Sequence, residues 1–446
     1  MIEFQAMVRR LLPLAAALVL SAVMPLRAAK LDLSANASLE AASWANLDFA
    51  SADRSNRAYF NQNATLGLIL KDIRYRSTDP DAKMTIGVIF GAVGFNTKGP
   101  LPQPFATMAD FYPNSDFTPW LKGAYVNANG LFGRDISLTA GRQQFNLATG
   151  MTLSDNDIGM PGFNIRYDNA LTEGLAFGAF AFQPKASDTQ SGDINVAGGM
   201  AQYSSQGLWQ IYSFCELDQQ TTAVMSTPVD GVIRNFTGIS YSMRYKQLSF
   251  DAEAALEKGT AKGAAGAGDI TFNSNALMFA GKWNQPMGRF GMGAARITAG
   301  RASGDDGSSP GTDRAFFPSF GRRYNGFKRA GFGEVFGASL YDAFGGDSST
   351  KTGMPAGLSG IQVISLGASL SPFAGLNFDA DVFFFEAAAS ASGQKQLGSE
   401  WDFKLYTPMS SHLDIRLVYG VFSPGAAYPA NTPSPSKLAF EVSAKF

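Results

Sequence analysis

The chain has very few of the residues that build redox, metal and nucleophilic sites. Among its 446 residues it holds one cysteine, Cys215, and one histidine, His412. A single cysteine cannot form an internal disulfide. One cysteine and one histidine cannot supply a transition-metal cluster, a haem attachment or a Cys–His nucleophile. We therefore expect no cofactor and no metal site.

Charge and long apolar runs are scarce as well. Charged residues make up 16% of the chain, against about 25% in soluble domains. The net charge of −1 indicates neither nucleic acid nor an anionic membrane surface as a partner. Beyond residue 30 no stretch approaches the roughly 18 uninterrupted apolar residues that a transmembrane helix needs. Glycine (48 residues) and aromatic residues (12%) are plentiful. Transmembrane β-barrels have such compositions because half of each strand faces lipid.

The amino-terminal segment has the pattern of an export signal. Arg9 and Arg10 precede the apolar run LLPLAAALVLSAVM, and two alanines follow shortly after it. A basic region, a short apolar region and a small-residue end describe a cleaved secretory signal peptide. A membrane anchor is the alternative, although the run is short for a spanning helix. We predict a signal peptide over residues 1–29 and an exported β-domain over residues 30–446.

Much of the remaining chain alternates apolar and polar residues with a period of two. The last ten residues, KLAFEVSAKF, place Leu438, Phe440 and Val442 on one side and Lys437 and Glu441 on the other. QLSFDAEAAL and HLDIRLVYGV alternate in the same way. The pattern predicts strands with one face in an apolar medium and the other in water. A soluble sandwich would alternate similarly, so the connections between strands must discriminate.

About 18 candidate strands follow one another, and their connections alternate between short and long. An even strand count puts the short ones, such as GLFG and PMSS, at one end and the long ones, such as 217–231 and 302–358, at the other. Outer-membrane barrels have this asymmetry, with short periplasmic turns and long external loops. We predict an all-β transmembrane, antiparallel, up-and-down β-barrel of about 18 strands in the bacterial outer membrane. Its partners would include membrane lipid and lipopolysaccharide, and KLAFEVSAKF would close it against LDLSANASLE.

Three stretches resemble the alginate-export family of outer-membrane porins. In DISLTAGRQQFNLATGMTLSDNDIGMPGFNIRYDN, a strand that ends in GRQ runs through a loop into a strand carrying Phe163 and Arg166. The others are GSEWDFKLYTPMSSHLDIRLVYGVFSPGAAY and RAFFPSFGRRYNGFKRAGFGEVFGASLYDAFG, the latter similar to that family's long insertion. The resemblance implies an 18-stranded monomeric channel with a charged constriction that passes an anionic polysaccharide. The terminal Phe446 also resembles the signal by which outer-membrane proteins engage the barrel-assembly machinery.

The alternation assigns a set of charged residues to the inside of the barrel. The predicted pore-lining or solute-contacting residues are Arg166, Arg234, Arg244, Arg296, Lys404, Arg416, Glu400, Asp402 and Asp414. A selectivity filter presents a ring of one sign at its narrowest level. The mixed signs also fit cross-strand pairs, with Asp402 and Lys404 near Asp414 and Arg416, that stabilise the wall by about 0.2–1 kcal/mol each. Both interpretations stay open at this point.

The connection 302–358 is too long for an inert loop, because loops beyond about 12–15 residues are usually functional or disordered. It interleaves aromatic residues with five cations, which are Arg314, Arg322, Arg323, Lys328 and Arg329. We predict that part of this connection folds into the pore and narrows it. Contact of its cations with lipopolysaccharide phosphates is the alternative.

These patterns together predict a channel and not an enzyme, since His412 falls at a short turn on the periplasmic side. The expected function is passive diffusion or export of anionic or polyhydroxylated solutes. The solute would be a small molecule or an oligosaccharide, with a polysaccharide such as alginate as one candidate. A structural or recognition barrel whose lumen is blocked by 302–358 is the alternative.

Overall fold

Eighteen antiparallel strands close into a barrel within the described part of the chain. The predicted signal peptide lies outside the described residues except for its last position. The computed structural model describes residues 29–46, 57–76, 79–95, 119–185, 193–224, 227–264, 266–325, 328–329, 331–344, 354–373 and 375–446. In chain order the barrel strands β1 to β18 are Lys30–Ala45, Arg57–Arg74, Lys83–Phe95, Trp120–Ala128, Ile136–Gln143, Met160–Tyr167, Leu175–Lys185, Ile194–Ser204, Leu208–Val224, Thr227–Tyr245, Leu248–Gly263, Ile270–Pro286, Met292–Ala302, Leu358–Phe373, Leu376–Ser390, Gln396–Pro408, Leu413–Pro424 and Ser436–Lys445.

The first and last strands close the cylinder, as the sequence predicts. Each barrel strand pairs with its neighbours in the chain, and β1 also pairs with β18. The β1–β18 register runs from Asn36 opposite Lys445 to Ala45 opposite Ser436. At the end of this seam, the Phe446 N–H donates to the Ala35 carbonyl at 2.8 Å. Closure gives every barrel strand two neighbours, so the wall has no open edge.

Alternation along each strand separates an apolar outer face from a polar inner face. On β16 the Trp401 side chain is 48% exposed on the outside, whereas Glu400 and Asp402 are 0% exposed on the inside. On β18 Leu438 and Phe440 are likewise exposed outwards. An outer surface with this many exposed aliphatic and aromatic side chains requires an apolar surrounding medium. The period of two therefore gives one lipid-compatible face and one polar bore.

The wall is tall on one side and short on the other. Strands β9 to β12 have 16 to 19 residues, whereas β4 to β6 have 8 or 9. The prediction of a long loop over 217–231 is wrong, because β9 and β10 stay paired as far as Val224 opposite Thr227. The residues DQQTT lack the apolar alternation of a lipid-facing strand, but backbone pairing continues through this part of β9.

The longest connection runs over 303–357 between β13 and β14, one residue inside each predicted boundary. Its regular elements are brief: Thr312–Asp313 pairs in parallel with β12, Tyr324–Asn325 pairs with Lys328–Arg329, and one helix spans Leu340–Phe344. Two 3₁₀ turns, Leu131–Gly133 and Gly288–Phe290, lie in short connections at the opposite end. No helix among the described residues is long and apolar enough to cross a membrane.

A buried aromatic cluster fills part of the barrel interior. Phe145, from the connection 144–159, lies 4.7 Å ring to ring from Phe182 on the wall. The Phe214 and Phe236 rings stack at 4.9 Å, and Phe316 of the connection 303–357 meets Phe236 edge-on at 6.3 Å. Both connections therefore pack against the inner face of the wall.

An arginine on the outer face should destabilise the barrel according to its depth. Leu366 lies midway along β14, opposite Ile297 and Val382, so Leu366→Arg should lower the free energy of unfolding by about 2–4 kcal/mol. Phe373→Arg, at the short-turn end of the same strand, is the control and should cost about 0–1 kcal/mol. Denaturant titration of the protein in lipid vesicles measures both. Equal costs would contradict a membrane-embedded band at the level of Leu366.

Candidate functional site

Three of the predicted inward arginines make ion pairs along the inner wall. Arg166 Nε lies 2.6 Å from Asp168, and Arg244 Nη2 lies 2.8 Å from Asp251. Arg296 bridges two carboxylates of β15, with Asp379 at 3.1 Å and Asp381 at 2.9 Å. These pairs leave each guanidinium matched to the wall, so they fit the wall-stabilising interpretation of those positions.

Arg234 belongs instead to an attachment point for the connection 303–357. Its guanidinium contacts Glu216 at 2.7 Å and Glu257 at 3.1 Å, and it donates to the Phe317 carbonyl at 2.8 Å. Glu257 in turn accepts the Phe317 N–H at 3.0 Å. The wall thus satisfies both backbone polar groups of one loop residue, which a loop excluded from water needs.

The connections 144–159 and 303–357 are hydrogen-bonded to each other inside the bore. The Ser154 N–H donates to the Phe320 carbonyl at 2.7 Å, and the Phe320 N–H donates to Thr152 at 3.1 Å. The Arg322 N–H donates to the Gly150 carbonyl at 2.8 Å. Beside these bonds, Leu147, Met151 and Leu153 of the first connection are fully buried. The two connections form one interlocked unit.

The wall also holds the connection 144–159 through two charged residues. Glu253 accepts the Thr149 N–H at 2.9 Å and the Tyr212 hydroxyl at 2.6 Å. Lys122 on β4 contacts Asp157 at 2.5 Å. Lys122 is not among the predicted site residues, whereas the alternation of QLSFDAEAAL places Glu253 on the inner, polar face. Alternation would have assigned Lys122 to the bore, because the neighbouring Leu121 faces outward.

A third attachment point uses the predicted residues Glu400 and Asp402. Glu400 accepts the backbone N–H groups of Glu334, Val335 and Phe336, each at 2.7 Å, and Asp402 accepts that of Glu334 at 3.0 Å. This arrangement is an anion-binding nest of successive N–H groups. Gly333 permits the close approach, because a β-carbon there would lie 2.5 Å from Glu400 Oε1.

The side chain of Glu334 enters a cluster of three wall cations, which we call the cation cradle: Lys404, Arg416 and Lys437. Lys404 Nζ lies 2.9 Å and Arg416 Nη2 3.2 Å from Glu334 Oε1, and Lys437 Nζ lies 2.9 Å from Oε2. Burial alone would raise the pKa of Glu334, but the three cations hold that pKa well below its usual range. Glu334 is therefore a charged carboxylate at the constriction, and no sequence pattern marks it.

A polar cavity of about 650 Å³ opens on the short-turn side of the cradle. Arg416 and Glu441 border both the cavity and the cradle. Most of the residues that line it carry a hydroxyl, amide or charged group, among them Ser34, Asn36, Ser38, Asn63, Thr65, Lys122, Asp157, Tyr406, Asp414, Arg416, Glu441, Ser443 and Lys445. The cavity thus forms a vestibule with many polar lining residues that ends at the cradle.

The expected pairing of Asp402 and Lys404 with Asp414 and Arg416 is wrong. The turn after Pro408 sets a register in which Asp402 faces Gly420, Lys404 faces Val418 and Arg416 faces Tyr406, so the expected cross-strand partners are not opposite one another. Asp414 instead accepts the Tyr406 hydroxyl at 2.8 Å and contacts Lys445 at 3.1 Å.

Among the five predicted loop cations, the parts that the structure describes make contacts other than those at the cradle. The Arg314 side chain is exposed, and its N–H donates to Asp305 at 2.9 Å. The backbone N–H of Arg323 donates to Asn156 at 2.5 Å, and the Arg322 side chain lies beside Gly150. The side chains of Lys328 and Arg329 lie outside the described residues. An acidic loop residue, Glu334, meets the cradle cations instead.

A methyl group at Gly333 should loosen the third attachment point. Gly333→Ala pushes against Glu400 and should break hydrogen bonds to a charged acceptor worth about 1.5–3 kcal/mol each. We expect hydrogen exchange at the amides of residues 334–336 to accelerate at least about tenfold. Gly268→Ala is the control, since a β-carbon there meets nothing within 4 Å. Unchanged exchange in Gly333→Ala would contradict the nest.

The packing of the connection 144–159 should weaken as pH rises. Burial raises the pKa of Asp155 from 3.8 to about 6, and Asp155 Oδ2 is buried with no partner among the described residues. Lys122 and Asp157 are its charged neighbours. The folded state favours the protonated form of Asp155. The stability that Asp155 contributes is therefore fully present below the pKa that it has in the unfolded chain, and it is lost as pH rises through about 6. Exchange protection in this segment, corrected for intrinsic rates, should fall between pH 4 and 8, and Asp155→Asn should abolish the fall. Exchange protection that does not change with pH in the unmodified protein would contradict this prediction.

The chain is similar in sequence to one known protein family. The sequence model of the alginate export family matches residues 118–441, more than half of the chain. A search of curated proteins finds no significant match.

Solved structures of similar fold are outer-membrane porins. Pseudomonas aeruginosa OpdK with vanillate is 13% identical with a TM-score of 0.54, over 93% of this chain and 98% of that chain. A BenF-like porin from Pseudomonas fluorescens Pf-5 is 12% identical with a TM-score of 0.55, over the same shares. Pseudomonas aeruginosa OccK2 (OpdF) in complex with glucuronate is 11% identical with a TM-score of 0.52, over 94% and 96%. At these identities the likeness concerns the fold. The chain belongs to the alginate export family and is an outer-membrane β-barrel channel for solutes.

Proposed function

We propose that the channel passes anionic or polyhydroxylated solutes by diffusion, with a uronate polysaccharide such as alginate as the candidate cargo. Membership of the alginate export family supports this solute class. The observation that carries the proposal is the vestibule lining, where side chains such as Ser34, Asn36 and Asn63 surround about 650 Å³. Hydroxyl and amide groups exchange hydrogen bonds with sugar hydroxyls in place of water, which is how polar pores admit polar solutes.

The charges of the vestibule support weak ion selectivity. Its lining holds three basic and three acidic side chains, so no ring of one sign surrounds the solute. Balanced charge does not trap a polyanion, and weak repeated contacts let it leave as readily as it enters. The pairs are Lys122–Asp157 at 2.5 Å, Lys445–Asp414 at 3.1 Å and Arg416–Glu441 at 3.9 Å.

A structural or recognition barrel with a blocked lumen is the second candidate. The interlocked connections 144–159 and 303–357 favour it, because their main chains are bonded to each other and to the wall. In that case the bore stays filled, and the long-loop end makes the functional contacts, including those with lipopolysaccharide.

We also propose that residues 1–29 are removed on export and that the barrel-assembly machinery recognises the terminal strand. The basic and apolar pattern of the first 29 residues supports export. The Phe446 side chain is 75% exposed although its backbone is paired with Ala35. An accessible terminal ring beside the closing seam supports recognition during assembly.

Solute uptake by reconstituted vesicles tests the channel. Vesicles with the protein should swell in isotonic glucose and glucuronate and in short uronate oligomers, because the vestibule offers hydrogen bonds to each. Deletion of residues 315–345 should speed swelling several-fold, since it removes much of the interlocked unit. In planar bilayers, the reversal potential in a potassium chloride gradient should lie close to zero.

Vesicles without protein are the control for leakage. A protein that supports no swelling, either intact or after deletion of 315–345, would overturn the channel proposal and leave the blocked barrel. A strongly displaced reversal potential would overturn the balanced-charge argument.

A further inference from the structure

The constriction already holds a carboxylate in the position where a solute carboxylate would bind. Both oxygens of Glu334 are occupied by the cation cradle, at 2.9 to 3.2 Å. We propose that the cradle is a carboxylate-binding site and that Glu334 occupies it as an internal substitute for the solute. A carboxylated solute displaces the Glu334 side chain from the cradle and thereby loosens the turn that carries it. This inference rests on the proposed function, because it needs such a solute in the channel.

The cradle belongs to the wall and not to the loop. Lys404, Arg416 and Lys437 lie on β16, β17 and β18, whose mutual register is set by backbone hydrogen bonds. Their clustering does not depend on Glu334. Three cations at close range repel one another unless an anion lies between them. When Glu334 leaves, the cradle therefore remains in place and attracts another carboxylate.

The cradle is within reach of a solute in the vestibule. Arg416 lines the cavity and also contacts Glu334 at 3.2 Å. The opposite side of Arg416 faces Glu441 at 3.9 Å, which keeps the guanidinium oriented after Glu334 departs. A carboxylate that moves up the vestibule meets Arg416 first and can then compete for the two lysines.

Glu334 lies on a segment that can leave without unpairing any barrel strand. Its turn is attached by N–H groups that donate to Glu400 and Asp402 and contributes no strand to the wall. Gly420 of the wall makes room for it, since a β-carbon there would lie 3.1 Å from the Glu334 β-carbon. The turn is held by these hydrogen bonds, by the ion pairs of Glu334 and by the Phe336 ring, which packs 4.8 Å from the Phe422 ring. A competing carboxylate replaces the ion pairs of Glu334 and so weakens the attachment of the turn.

The replacement of Glu334 by a solute discriminates between solutes by their charge. Replacing one carboxylate by another leaves the charge of the constriction unchanged, so the substitution carries no large electrostatic penalty. A neutral sugar cannot compensate the three cations and leaves Glu334 in place. The device thus couples movement of the Glu334 segment to the presence of a carboxylated solute.

Current block by glucuronate tests this assignment, with glucose as the neutral comparison. Glu334→Gln keeps the size of the side chain and removes its charge. Asp306→Asn removes the same charge from an exposed position of the same connection and is the matched control. Glucuronate should half-block the Glu334→Gln channel at a concentration at least tenfold lower than it needs for the unmodified protein or Asp306→Asn. Adding Lys437→Met to Glu334→Gln should reverse that gain, and glucose should block none of them.

A measurement on the unmodified protein guards against misfolding of the variants. Glucuronate should accelerate hydrogen exchange at the amides of residues 334–336 at least threefold, and glucose should not. The inference is overturned if glucuronate blocks Glu334→Gln and the Asp306→Asn control equally. It is also overturned if glucuronate does not change hydrogen exchange at the amides of residues 334–336. Vesicle swelling separates the two proposals: swelling that persists with either negative result leaves the channel intact, whereas no swelling even after deletion of 315–345 removes the channel itself.

Discussion

Backbone hydrogen bonding in a medium without water is the constraint on which this structure depends. An unpaired N–H or C=O group in hydrocarbon costs several kcal/mol, so only a wall without edges is stable there. The chain meets this requirement by pairing its first strand with its last, down to reciprocal bonds between Ala35 and Phe446. Once the cylinder closes, the alternation of side chains has one solution: one face of each strand is apolar and meets lipid, and the other face supplies the polar residues and the buried aromatic cluster of the interior. Closure therefore decides which charged residues face the lumen.

The same constraint explains how the interior connections are held. A loop that enters a narrow bore loses water and must find other acceptors for its N–H groups. Three wall glutamates provide them: Glu253 for Thr149, Glu257 for Phe317 and Glu400 for the turn at Glu334. Each is buried, and each accepts main-chain donors instead of pairing only with a side chain. Buried carboxylates of this barrel thus serve largely as attachment points for main chain.

The sequence predicts the wall well and the interior poorly. The period of two identifies the strands, the closing pair and the inward direction of residues such as Lys404 and Arg416, because alternation is a local property. It misses the extension of β9 and β10, since pairing above the membrane no longer needs an apolar face. It also misses Glu334, whose partners lie 66 to 103 positions away in the chain. The five loop cations attracted attention by their number, but complementarity to a basic wall selects an acidic residue at that place.

The unequal strand lengths give the barrel a sloping rim. The difference between β5, with 8 residues, and β10, with 19, corresponds to roughly 25–30 Å of height at the usual rise and tilt. The raised side carries its own small apolar cluster, which includes Val229, Ile270 and Phe272. Among the described residues, the paired wall therefore ends lower over β4 to β6 than over β9 to β12, and the extra height of the long strands encloses a part of the lumen on one side only.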